Sequence, residues 1–122
     1  MRDFCVTFSD GIYRLLCAYG ERYNGEQDGV KFIHVWEIKN GKPKKVDMWK
    51  DHQSNIVSVL ISRLHKNRLF TGSIDKTIRI WDVNTGDCIQ LLRNDKAIVT
   101  CMCNSDDRIY VGAGYFFIAK KD

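Results

Sequence analysis

Residues 69–88 read LFTGSIDKTIRIWDVNTGDC. Two apolar runs, each of strand length, are separated and followed by residues that favour tight turns. The runs Arg68–Thr71 and Thr77–Val83 are rich in β-branched and aromatic side chains, which suit a half-buried pleated surface. The interruptions Ile74-Asp75-Lys76 and Asn84-Thr85-Gly86 hold residues that bond back to the backbone or tolerate positive φ. The reading is strand, turn, strand, turn, then the start of a third strand at Cys88.

The same grammar runs through the rest of the chain. Candidate strands are Phe4–Phe8, Tyr13–Ala18, Phe32–Ile38, Lys45–Trp49, Ile56–Ile61, Cys88–Leu92, Ile98–Cys103, Arg108–Val111 and Tyr115–Ala119. Between them stand Ser9-Asp10-Gly11, Asn40-Gly41 and Ser105-Asp106-Asp107 as turn formers. The one proline, Pro43, is read as a turn residue. No window sustains a helical stripe, so an all-β sandwich, barrel or propeller is expected.

The segments also repeat. Ile56-Val57-Ser58-Val59 returns as Ile98-Val99-Thr100-Cys101, and Trp36-Glu37-Ile38 returns as Trp81-Asp82-Val83. Arg14-Leu15-Leu16-Cys17 returns as Arg68-Leu69-Phe70-Thr71 and again as Arg108-Ile109-Tyr110-Val111. A period of about 40–45 residues with four short strands per unit is the signature of a propeller array. Such a unit cannot cover both of its faces alone, so neighbours must stack on it.

Composition agrees with a folded domain. The chain has 122 residues, 44% of them hydrophobic and 28% charged, which fits one small globular domain and excludes disorder. No apolar run has the length of a membrane-spanning helix, so no membrane association is expected. The start Met1-Arg2-Asp3-Phe4-Cys5 has no apolar core or cleavage site, so no secretory leader is expected. Cys5, Cys17, Cys88, Cys101 and Cys103 sit mostly within apolar runs and are read as reduced core thiols of a cytoplasmic or nuclear protein. The net charge of +4 permits an acidic partner without requiring one.

Leu69–Cys88 resembles a WD-repeat, the unit of WD-repeat β-propellers, and the likeness extends in varying quality along nearly the whole chain. It implies a partial, open propeller of fewer than three complete four-stranded blades. The first is expected at about 4–49, the second at about 56–92 and an incomplete third at about 98–119. The resemblance also implies a buried polar tetrad, which in the second blade is His52, Thr71, Asp75 and Trp81. A buried indole N–H needs an acceptor, a hydroxyl can be one, and imidazole and carboxylate can complete the chain. Thr71, His52 and Asp75 are also the residue types of a nucleophile, a base and an orienting acid. A hydroxyl inside a strand and committed to Trp81 has no exposed reaction site, so no catalytic residue and no enzyme activity are expected. In the first blade Cys17 and Glu21 replace the Thr and Asp, and Trp36 remains. In the third, Val111, Tyr115 and Lys121 stand at the Thr, Asp and Trp positions, and Asn94-Asp95 where Gly-His would be.

By the same resemblance the expected role is a non-catalytic protein-interaction scaffold. Its binding face would carry Arg22, Tyr23, Gln53, Asn55, Ile74 and Lys96, with Ile74 foremost as an apolar residue at a turn tip. The insertion Arg22–Val30 reads equally as a binding loop or a tolerated extension. No cofactor or metal is expected, because Cys101 and Cys103 lack further ligands at known spacings and read as core cysteines of an inner strand. The alternative function is nucleic-acid binding through Lys42-Pro43-Lys44-Lys45, which reads more simply as a solvated turn. Propellers close with typically four to eight blades. The chain is therefore expected to be a piece of a larger propeller, to self-associate, or to complete another propeller, the first being preferred because the third unit degenerates.

Overall fold

A computed structural model describes residues 3–19, 22–23, 26–27, 32–50, 52, 55–62, 65, 67–93, 99–105, 108–113 and 116–121. Glu21, Gln53, Asn94, Asp95, Lys96 and Tyr115 lie outside these residues. The described residues form strands and no helix.

The first sheet holds β1 (Asp3–Ser9), β2 (Ile12–Tyr19), β5 (Phe32–Lys39) and β6 (Lys42–Lys50), hydrogen-bonded in that order. Between β2 and β5, the insertion forms its own two-stranded pair, β3 (Arg22–Tyr23) and β4 (Glu26–Gln27), which sequence reading did not anticipate. The second sheet holds β7 (Ile56–Ile61), β8 (Arg68–Ser73), β9 (Thr77–Asp82) and β10 (Cys88–Arg93). The third holds β11 (Val99–Asn104), β12 (Arg108–Ala113) and β13 (Phe116–Lys121). Every pairing is antiparallel.

Local chemistry explains the hairpins. Asp10 and Gly11 have φ of 53° and 77°, and Asn40 and Gly41 have 53° and 73°. Two successive positive φ values are what a two-residue turn needs to match the strand twist, and Asp-Gly and Asn-Gly supply them cheaply. The second turn therefore ends at Gly41, and Lys42-Pro43-Lys44-Lys45 belongs to strand β6 rather than to a turn. β6 is an edge strand, where a proline loses no ladder hydrogen bond if its nitrogen faces outward.

The three sheets stack through their faces. Leu16, Ala18, Ile33, Val35 and Trp49 of the first sheet share one core with Ile56, Val59, Leu69, Trp81 and Val83 around the second. Leu60, Phe70, Ile78 and Ile80 on the second sheet's other face share another core with Val99, Ile109 and Val111 of the third. Polar bonds also cross these seams: Asp3 Oδ2 accepts from the Val59 amide at 2.9 Å, Arg14 Nη1 donates to Asn84 Oδ1 at 3.2 Å, and Asn104 Nδ2 donates to the Ile61 carbonyl at 2.8 Å. Gly72 leaves room for the third sheet, because a Cβ there would lie 2.5 Å from Val99 Cγ1.

Candidate functional site

The second sheet brings His52, Thr71, Asp75 and Trp81 together. Trp81 lies on β9 and is 2% exposed, so its indole N–H has no water to turn to. It donates to Thr71 Oγ1 on β8 at 2.9 Å. Thr71 Oγ1 stands 2.6 Å from His52 Nε2, and His52 Nδ1 stands 3.0 Å from Asp75 Oδ2. One proton arrangement satisfies every member: indole to hydroxyl, hydroxyl to Nε2, and Nδ1–H to carboxylate.

The network extends beyond those four residues. Asp75 Oδ1 accepts from the Thr77 amide at 2.9 Å and from the Thr77 hydroxyl, while Thr77 Oγ1 also lies 3.2 Å from His52 Nδ1. Ser73 Oγ donates to the Asn55 carbonyl at 2.7 Å and accepts from the Asp75 amide at 3.1 Å. The Ile74 amide donates to the same Asn55 carbonyl at 3.0 Å. Ser73 and Thr77 are both buried, and sequence reading missed their part. The available signal was a hydroxyl on each side of Ile74-Asp75-Lys76, placed where a turn's amides need acceptors. Lys76 holds φ of 68°, a strained value for a lysine that the bonds on either side of it impose.

Chemically this arrangement is closed. Thr71 is wholly buried, its oxygen is taken up by Trp81 and His52, and its face of the sheet is packed against the first sheet. Asn55 and Ile74 are brought side by side at one end of the second sheet, both half-buried, so Ile74 is only partly exposed at its turn. Arg22 and Tyr23 are placed as backbone in β3. The lysines Lys42, Lys44 and Lys45 are exposed along β6, with Lys44 opposite Glu37. Among the described residues, no group of three or more His, Cys, Asp or Glu is placed to hold a metal ion, and no helix is long and apolar enough to cross a membrane.

The cysteines depart from the expectation of uniformly buried core thiols. Cys17 is buried and Cys5 and Cys88 are half-buried, but Cys101 and Cys103 are exposed. A register irregularity between Val99 and Cys101 sets the parity of β11, so that Met102 packs on the second sheet while Cys101 and Cys103 face away. Burial pushes the Cys5 thiol up to about 12, with the Asp3 carboxylate and Cys17 adding to it, and burial also raises Cys17. Iodoacetamide at pH 8 is expected to label Cys5 on the order of 10³-fold more slowly in the folded chain than in urea. Equal rates in a peptide map would contradict this placement. A raised thiol pKa favours the protonated, folded state, so this contribution is full below pH 9 and is lost as pH climbs toward 12.

Comparison with known proteins adds to this geometry. Residues 42–82, from the start of β6 to the end of β9, match the family described as WD domain, G-beta repeat. Residues 42–82 are similar to a WD repeat. The repeat thus joins the outer strand of one sheet to the three inner strands of the next, and it contains His52, Thr71, Asp75 and Trp81. The putative E3 ubiquitin-protein ligase LIN-1 of Lotus japonicus is 29% identical over 105 residues, which is 84% of this chain and 7% of that protein. The WD repeat-containing protein pop2 of Schizosaccharomyces pombe is 38% identical over 40 residues, 33% of this chain and 6% of its own length. A crystal structure of the computationally designed Ika4 protein superposes with a TM-score of 0.64 at 24% identity, covering 95% of this chain and 63% of the designed one, a likeness of fold. The chain therefore spans a small part of these natural relatives. All-β sheets stacked face to face and left open at the ends agree with a partial propeller, and WD repeats in general are non-catalytic scaffolds for protein interaction.

Proposed function

We propose that this chain is a non-catalytic protein-interaction scaffold of WD-repeat type, forming part of a larger propeller in the cytoplasm or nucleus. Its binding surface is the rim around Ile74 and Asn55. His52, Thr71, Asp75 and Trp81 serve the structure of that rim rather than any chemistry. One observation carries the reading: the buried network runs without a break from Trp81 to the carbonyl of Asn55, so the turn bearing Ile74 is fastened to the sheet. A loop held in place loses little freedom when a partner docks, which makes it a good presenter of an apolar side chain.

The test is affinity capture from cell extract with the chain and with Ile74→Asp. The substitution is expected to reduce capture at least tenfold while shifting the unfolding midpoint little, since Ile74 lies outside the two sheet-to-sheet cores. Equal capture by both proteins would remove the rim from consideration.

A further inference from the structure

The two terminal sheets present faces that the interior of the same chain covers. In the second sheet, Val59 pairs with Thr71, Ile61 with Leu69, and Leu69 with Trp81, and these residues belong to or pack against the core shared with the first sheet, Thr71 being buried on the same face. In the first sheet the same positions are filled by Phe4 opposite Cys17, Val6 opposite Leu15, and Leu15 opposite Trp36. The second sheet packs on the opposite face of the first, and here Phe4, Val6 and Phe8 are 50%, 51% and 61% exposed.

The far end matches in the opposite sense. Leu60 pairs with Phe70 on the face of the second sheet that receives the third, and Cys5 with Leu16 on the face of the first that receives the second. In the third sheet that pair is Cys103 with Tyr110, both exposed. One end of the stack therefore offers the surface by which a sheet receives its predecessor, and the other end offers the surface by which it receives its successor.

We propose that a second copy of this chain completes the stack, the third sheet of each copy seating on the first sheet of the other. This rests on the reading that the chain is part of a larger propeller. The contact repeats one that the chain already makes twice, between first and second and between second and third sheets. Two copies give six sheets, within the four to eight that close a propeller. Such a ring uses two unlike faces per copy and closes by a two-fold axis, leaving neither face bare. Three strands about 4.8 Å apart and about six residues long cover roughly 300 Å². The two contacts then bury four such faces, on the order of 1,200 Å², which reaches the size of specific interfaces.

Light scattering on the purified chain is expected to give twice the chain mass of 14.2 kDa at micromolar concentration. Phe4→Asp and Tyr110→Lys each strike one face at a half-exposed position and are expected to weaken dimerisation at least tenfold. Mixed in equal amounts, the two variants are expected to regain dimers, because one contact is then unaltered and the other sets Asp against Lys. Near-ultraviolet circular dichroism from the Trp49–Trp81 stack reports that each variant is folded. A folded wild-type monomer, open-ended growth, or a dimer lost with Phe4→Asp but untouched by Tyr110→Lys would each overturn the proposal. Failure here leaves the binding-rim reading to its own test, since Ile74→Asp alters a different surface.

Discussion

Trp81→Ala is expected to lower stability by about 3–5 kcal/mol, the range for truncating a large buried aromatic. The side chain fills the seam between the first two sheets, stacked on Trp49 with ring centroids 5.7 Å apart and planes 19° from parallel. Trp49 has little room to collapse into the cavity. Its own indole is held by Asp47 Oδ2 at 3.0 Å, and Gly86 lies so close that a Cβ there would be 2.5 Å from Trp49 Nε1. The substitution also removes the donor to Thr71. Small domains are stable by about 5–15 kcal/mol in all, so this loss approaches global unfolding. The measurement is a urea titration followed by far-ultraviolet circular dichroism. A midpoint close to that of the unaltered chain would show that the seam does not depend on this ring.

Thr71→Val is expected to cost about 2–4 kcal/mol, although it preserves volume. Two buried groups lose a partner at once, the Trp81 N–H and His52 Nε2, and each buried polar group left unsatisfied costs about 1–3 kcal/mol. Thr71→Ser keeps the hydroxyl and removes one methyl, for which about 1 kcal/mol is expected. The contrast between the two variants separates the hydrogen bonds from the packing. If valine were tolerated as well as serine, the network would not be stabilising the sheet, and the structural role assigned to His52, Thr71 and Asp75 would fall.

Strand positions were legible because they rest on local chemistry. Asp10-Gly11 and Asn40-Gly41 announce their hairpins through the φ values that they adopt, and the near-continuous apolar runs of β8 and β9 follow from burial on both faces. What escaped depends on partners distant in sequence. The extent of β6 was missed because Pro43 is disfavoured in a strand generally but acceptable at an edge, and being an edge is a property of the whole sheet. The facing of Cys101 and Cys103 was missed because a single irregular residue reverses parity, and nothing in Thr100-Cys101-Met102-Cys103 marks it. The tetrad was legible through family resemblance, whereas Ser73 and Thr77 joined it only once the turn between them was folded back against Asn55.

Edge strand β6 has a consequence for how the molecule can go wrong. A sheet edge is a template on which a foreign strand can pair, and repeated pairing of that kind builds cross-β fibrils. Along β6, Pro43 supplies no N–H, and Lys42, Lys44, Lys45 and Lys50 are all exposed, so an incoming copy of the same strand would meet its own charge. Lateral growth through this edge is thereby opposed, while the broad apolar face of the same sheet carries no such guard. Pairing along this edge is refused by charge, and lysine-to-neutral changes in β6 would weaken that refusal without touching a single core residue.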